Sequence, residues 1–223
     1  MKVKLISHSA PSQEMLDNGV ENISDLIGLC ARVSNPSNQY NSETYSRLIN
    51  YLVKHKHWSP FELVSVCLEI ETTRDIARQF LRHRSFSFNE YSQRYADPQD
   101  MDEAFVLREA RLQDTKNRQN SIENTDESLA LTWDLRQHAV IEAAKNAYEW
   151  AIENGIAKEQ ARAVLPEGNT VSRLFANGTL RSWVHYIELR TGPETQKEHR
   201  ELAKAIAEVI SKVFPMIDEF TND

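Results

Sequence analysis

The stretch Val64-Ser65-Val66-Cys67-Leu68-Glu69-Ile70-Glu71 decides the fold. Its apolar residues fall on every second position, which in an extended chain puts Val64, Val66, Leu68 and Ile70 on one face. The pattern predicts a strand with one buried side, the clearest in the sequence. Ser59-Pro60 breaks the pattern before it, and Thr72-Thr73 with Asp75 follows as a helix start. That helix reads through Arg84, with Ile76 and Phe80 pointing inward.

Upstream, Val3 and Leu5 alternate with polar neighbours and suit a short strand, while residues 23–33 carry Leu26, Leu29, Cys30 and Val33 at helical spacing. After a polar loop at 35–41, Ser42 can cap a helix whose Tyr45, Leu48, Ile49, Leu52 and Val53 form one apolar stripe. Downstream, residues 96–128 are mostly polar and read as a short helix followed by an exposed loop. A long helical pattern over 129–154 runs through Leu135, Ala139, Ala143, Ala147 and Trp150 and stops at Gly155. Residues 157–165 look helical until Pro166, and residues 173–190, with Leu180, Trp183, Val184 and Ile187, read as helix again. Pro193 suits the first turn of a final helix burying Leu202, Ile206, Val209, Ile210 and Val213. No internal repeat or linker divides the chain.

The 223 residues suffice for one compact α/β domain with a real core. A formal charge of −7 opposes long-range attraction to nucleic acid or an anionic membrane, so any bound polyanion must be small and held by a local basic patch. The start MKVKLISHSAPSQE has no apolar stretch of signal-peptide length, and no run of eighteen apolar residues follows; a soluble, cytoplasmic protein is expected. The two cysteines, Cys30 and Cys67, are too few for a disulfide framework and are expected as packed, reduced thiols. His55 and His57 could place two ligands on one side of an extended segment, but nothing nearby completes a zinc pattern, so no metal is expected. G-x-G-x-x-G and G-x-x-x-x-G-K are both absent.

Chemistry concentrates in Gln79-Phe80-Leu81-Arg82-His83-Arg84-Ser85-Phe86-Ser87-Phe88-Asn89-Glu90-Tyr91-Ser92-Gln93-Arg94. On a helix Gln79, Arg82 and His83 share a face, and an extended chain beyond would align Glu90, Ser92 and Arg94. Guanidinium forks recognise phosphate, amides pair with a pyrimidine edge, and hydroxyls donate to phosphate oxygen, so the array can clamp a nucleotide. Taken alone it also fits a solvated basic helix end. With Phe86 and Phe88 as stacking platforms it would fit single-stranded nucleic acid, which the acidic chain argues against.

Arg82-His83-Arg84 followed after seven residues by Ser92 resembles the signature of the flavin-dependent thymidylate synthases. His57-Trp58-Ser59-Pro60-Phe61-Glu62, Arg162-Ala163-Val164-Leu165-Pro166, Arg181-Ser182-Trp183 and Glu188-Leu189-Arg190 are similar to further landmarks of that family, in order from about residue 30 to 210. The resemblance implies one α+β domain with a central, mostly antiparallel sheet flanked by helices, assembling as a homotetramer. It implies reductive methylation of dUMP to dTMP, with 5,10-methylenetetrahydrofolate as carbon donor and NADPH-reduced FAD as hydride source. The FAD residues carried over are Ser59, Arg82, His83, Arg84, Glu90, Thr179, Leu180, Arg181 and His185. The dUMP residues are Gln79, Phe80, Leu81, Arg82, Glu90, Tyr91, Ser92, Gln93, Arg94, Arg162 and Arg190. The expected partners are dUMP, the folate and further copies of the chain, with neither a nucleic acid polymer nor a membrane among them.

In this family dUMP is thought to be activated without an enzyme nucleophile, and Arg190 matches the arginine that favours the N3-ionised ring, the catalytic role. Ser92 has no general base or oxyanion glycine motif beside it in sequence, so it is read as a nucleotide ligand. Trp183 and Tyr186 are read as packing, and His57 either as a structural histidine or as a neighbour of the flavin or folate. Two departures weaken individual FAD contacts: Thr179-Leu180-Arg181 stands where many relatives have Asn-Ala-Arg, and Glu194 where some have His; Leu63 also replaces a His common after Pro-Phe-Glu. A flavin reductase with the same pocket is the rival enzyme reading, and the presence of both Arg162 and Arg190 alongside the signature argues against it.

Overall fold

The computed structural model describes residues 1–222. Strand β1 (Lys2–His8) leads through α1 (Gln13–Asp17), α2 (Ile23–Ala31) and α3 (Tyr45–Lys54) to β2 (Ser65–Thr73), α4 (Arg74–Phe80) and β3 (Phe86–Glu90). A two-residue hairpin, β4 (Leu112–Gln113) with β5 (Ser121–Ile122), precedes the long α5 (Glu127–Glu153) and short α6 (Lys158–Ala161). Strand β6 (Val171–Thr179), α7 (Leu180–Arg190) and α8 (Lys197–Ser211) follow. The four long strands form one antiparallel sheet in the order β1-β2-β6-β3, an α+β arrangement.

Alternation in β2 does what the sequence predicts: Val66, Leu68 and Ile70 are buried opposite Gly178, Ala176 and Leu174 of β6, and pack with α7 and α8. The opposite face carries a charge ladder, with Lys2 and Arg173 on Glu71 at 3.4 and 2.8 Å and Lys4 on Glu69 at 3.2 Å. Gly178 lets β3 approach, because a Cβ there would lie 2.4 Å from the Phe86 ring. Gly155, at φ +78°, ends α5 as expected.

Several expected elements differ. Helix α4 stops at Phe80, four residues short of Arg84, because Phe80 is held among Phe86, Phe88, Trp183 and Tyr186 and the chain must turn to pair β3 with β6. Residues 171–179 form strand β6 where the sequence predicts helix from 173; of its inward positions only Leu174 is large, beside Ser172, Ala176 and Gly178, so alternation is weak in the sequence. Ser42 opens a 3-10 turn and α3 starts at Tyr45, while residues 96–128 contain a 3-10 turn at Pro98–Asp100 in place of a helix. Residues 162–164 tighten to a 3-10 turn after α6. Pro193 lies exposed in the turn before α8, Val213 lies beyond its end, and Val33 is exposed.

The stripe Leu135, Ala139, Ala143, Ala147 and Trp150 faces outward from α5, while Gln137, Ile141, Ala144, Tyr148 and Ala151 face inward. Leu131, Leu135 and Trp150 are 63%, 62% and 60% exposed. Both cysteines are free and half-buried. Among the described residues, no helix is long and apolar enough to cross a membrane, and no cluster of three or more His, Cys, Asp or Glu could hold a metal ion.

Candidate active site

Side chains at the C-terminal ends of α4 and α7 form the first of three groups. Arg190, in the last turn of α7, donates through Nε to His83 Nε2 at 3.0 Å. Burial first, then the Arg190 charge and the neighbouring His185, lower the His83 pKa to about 4, so the imidazole is neutral and can accept that bond. Among the described residues no carboxylate pairs with Arg190, leaving a half-buried guanidinium whose partner carries no charge. Behind it, Tyr186 and His199 are fully buried, and His199 bridges Tyr186 Oη at 3.1 Å and Gln79 Oε1 at 3.2 Å. Gln79 also donates to Gln196 at 2.9 Å.

A second group surrounds a cleft of about 340 Å³ lined by Arg74, Arg78, Gln93, Arg162, Glu159 and Glu167, among others. Arg78 grips Glu167 with Nε 2.8 Å from each carboxylate oxygen, and Arg94 reaches Glu159 at 3.4 Å. Arg162 has no carboxylate partner among the described residues; its Nε donates to the Glu159 carbonyl at 3.3 Å. Gln93 is only 3% exposed, and its Nε2 has no hydrogen-bond partner among the described residues. A buried amide N–H without an acceptor costs about 1–3 kcal/mol, so an anionic or carbonyl-bearing ligand in the cleft would recover that loss. Glu90, at the end of β3, accepts from Ser172 at 2.7 Å and lies 3.6 Å from Arg74.

The third group lines a cleft of about 450 Å³ at the start of α7, within the size range of small-ligand sites. Thr179 caps the helix by accepting from Ser182 N, and Ser182 Oγ donates to the Ser85 carbonyl at 3.3 Å. Arg181 is paired with Glu62, while Trp58, His185 and Glu188 complete the wall. Ser59 is exposed and opens the turn beside Trp58. Hydroxyls, a guanidinium, an imidazole and a helix N-terminus are donors of the kind a pyrophosphate-bearing cofactor such as FAD requires, although an anion must compete with Glu62 for Arg181.

The structure thus distributes the sequence-derived residues. Gln79, His83 and Arg190 come together; Gln93 and Arg162 share the basic cleft, with Arg94 and Glu90 at its margin through Glu159 and Arg74; Thr179, Arg181 and His185 share the third. Arg162 and Arg190 fall in different groups of one chain. Phe80 and Leu180 are fully buried, so their side chains serve packing, and Leu81 packs against the same core. Arg82 and Arg84 are exposed in the turn after α4 rather than on it. Ser92 and Arg94 likewise sit in a turn, not in an extended run from Glu90, and Ser92 Oγ accepts from Arg94 N at 3.4 Å. Tyr91 donates to the Asp97 carbonyl at 2.5 Å. Phe86 and Phe88 pack on Phe80, which removes them as platforms for nucleic-acid bases.

Sequence reading missed Arg74, Arg78 and His199. Arg74 and Arg78 stand four apart on α4, a spacing that places both on one face, and His199 lies three residues before Leu202 in the apolar stripe of α8.

The sequence model of the family described as "Thymidylate synthase complementing protein" matches residues 16–216. The chain is 46% identical over 217 residues to a "Probable flavin-dependent thymidylate synthase" of Paramecium bursaria Chlorella virus 1, covering 97% of each protein. It is equally similar, over the same shares, to the flavin-dependent thymidylate synthase of Synechocystis sp.. The crystal structure of the UMP/dUMP methylase PolB from Streptomyces cacaoi, bound with 5-Br dUMP, superposes with a TM-score of 0.80 at 27% identity, covering 98% of this chain and 93% of that one.

Proposed function

The chain belongs to the flavin-dependent thymidylate synthase family and is a methyltransferase enzyme, and from that premise we propose its reaction in detail. It methylates dUMP to dTMP in the cytoplasm, taking the carbon from 5,10-methylenetetrahydrofolate and releasing tetrahydrofolate. FAD, reduced by NADPH, supplies the hydride when bound. The observation that carries this reading is Arg190: a half-buried guanidinium hydrogen-bonded to a neutral imidazole and lacking a carboxylate partner among the described residues.

Arg190 supplies uncompensated positive charge where the uracil ring develops negative charge at N3 and its flanking carbonyls. Stabilising that anion raises electron density at C5 for attack on the one-carbon unit. His83, held neutral, fixes the guanidinium without cancelling its charge. Gln79 contacts the base, while Gln93, Arg94 and Arg162 seat the phosphate. Ser59, Thr179, Arg181 and His185, with Arg82 and Arg84 from the neighbouring turn, hold the flavin nucleotide. No cysteine nucleophile is needed, since neither Cys30 nor Cys67 lines any of these clefts.

Two features support the proposed assembly as a homotetramer. The outward Leu131, Leu135 and Trp150 of α5 offer an apolar face suited to another copy, and the nucleotide residues of one chain fall in separate groups that a neighbouring copy would complete. The test is product identification by mass spectrometry after incubating dUMP with methylenetetrahydrofolate, NADPH and FAD, with UMP in a parallel reaction. Formation of dTMP supports the reading. Methylation of UMP alone, or oxidation of NADPH with no methylated nucleotide, defeats it.

A further inference from the structure

The network behind Gln79 is directional, and its direction is set by a carboxylate. Burial opposes ionisation of Glu198, but its own backbone N–H, Gln196 and the Arg111 and Arg108 guanidiniums hold its pKa below the ordinary value. Arg111 lies 2.7 Å and Arg108 3.6 Å from Glu198 Oε1. An ionised carboxylate only accepts, so Gln196 Nε2 donates to Glu198 Oε2 at 2.9 Å. Gln196 therefore turns its Oε1 to Gln79 and accepts from Gln79 Nε2 at 2.9 Å. Gln79 Oε1 then faces His199 Nδ1 at 3.2 Å, and because a carbonyl only accepts, the imidazole proton sits on Nδ1. His199 Nε2 is left as an acceptor, and the Tyr186 hydroxyl donates to it at 3.1 Å.

His199 is fully buried. Burial, then the Arg190 charge and the neighbouring His83, lower its pKa to about 3, so it is neutral with one donor and one acceptor. Reversing the Gln79 amide would set N–H against N–H at His199 and oxygen against oxygen at Gln196. The Gln196 end resists rotation outright, and the His199 end resists it as long as the Tyr186 hydroxyl donates to Nε2 and keeps the proton on Nδ1.

We propose that His199 is a positioning residue that locks the Gln79 carboxamide in one orientation, and that this lock makes the enzyme prefer a uracil to a cytosine ring. The two bases differ where they are read: uracil offers N3–H as donor and O4 as acceptor, cytosine offers N3 as acceptor and its amino group as donor. A free glutamine serves either base by rotating its amide; a locked one serves one. The inference rests on the reading of Gln79 as a contact of the dUMP base.

The test is calorimetric binding of dUMP and of dCMP to the FAD-loaded enzyme, comparing wild type with His199→Leu and His199→Asn. Leucine removes the donor at similar volume, whereas asparagine keeps an amide N–H near the place of Nδ1. The dUMP:dCMP preference should fall roughly tenfold in His199→Leu, the scale of one hydrogen bond, and return most of the way in His199→Asn. Tyr186→Phe frees the proton to move to Nε2 and should lower the preference by a smaller factor, about threefold, in a protein that keeps its imidazole. An unchanged preference in His199→Leu or, should that variant not fold, in Tyr186→Phe overturns the proposal. So does an equal loss in the Leu and Asn variants accompanied by loss of bound flavin, which would make His199 a packing residue only. A wild-type enzyme that binds neither nucleotide overturns the functional reading itself, and is told apart from these outcomes before any variant is made.

Discussion

Around Arg190 the buried polar side chains are partnered, whereas around Gln93 a buried amide nitrogen has no acceptor among the described residues. The first region is finished before any ligand arrives. Its histidines are neutral, its amides are oriented, and the guanidinium they support needs little reorganisation when negative charge develops beside it. The second region is unfinished, because Gln93 is desolvated without a partner and Arg162 lacks a carboxylate among the described residues. Under the proposed function, this difference divides the work: the finished region would act on the reacting ring, and the unfinished one would gain its missing partners by binding.

The largest effect is expected in the finished region. Arg190→Ala should lower kcat by about 10²–10³-fold, the scale of losing one preorganised electrostatic contact, in a protein that still binds flavin. Near-normal turnover in steady-state assays would remove Arg190 from the chemistry. In the unfinished region the effect should move to binding: Arg162→Ala is expected to raise KM for dUMP by about 10- to 100-fold, the worth of one charge-assisted hydrogen bond, with kcat little changed. A kcat loss at unchanged KM would contradict the division of labour.

Gln93→Leu sharpens the comparison most cleanly. Removing the unpartnered amide should stabilise the ligand-free protein by about 1–2 kcal/mol in urea unfolding while weakening dUMP binding roughly tenfold. Loss of stability would mean that the amide is satisfied in the free protein. The histidines give a pH signature on the other side. The unfolded chain takes up protons near the ordinary histidine value of 6.5, while folded His83 and His199 resist them down to about 4 and about 3. Their contribution to stability is therefore full above 6.5 and declines as pH falls towards 4 and then 3. Between pH 6.5 and 5, above most carboxylate titrations, the urea midpoint should fall with acidification and fall less in His199→Asn. Parallel slopes would contradict the neutral assignment. Smallest of all, replacing both Cys30 and Cys67 by serine should leave dTMP formation within about twofold, since neither thiol lies in a cleft of the site.

How much of this was legible in the sequence depends on what each position had to signal. Strand β2 was legible because large apolar residues alternate with polar ones through its whole length. Strand β6, its neighbour, was hidden because its inward side carries Ala176 and Gly178, room that Phe86 fills, while Phe175 points outward. The apolar spacing of α5 was read correctly as helical, but periodicity cannot say whether an apolar stripe packs inside its own chain or outside it. Within the site, the resemblance carried the arginines and Gln79 in order along the chain. It could not supply His199 or the Glu198-to-Tyr186 polarity, which exist only once α8 is laid against α4 and α7. Nor could it show that the residues of one chain would fall into three groups.

The most direct test of that division is a crystal structure of the FAD-loaded assembly with dUMP bound. The account predicts the phosphate against Gln93 and Arg162, the uracil ring against Gln79 and Arg190, and the Gln93 amide donating to the nucleotide. A nucleotide bound away from Arg190, or one that leaves the Gln93 amide still unpartnered, would contradict it.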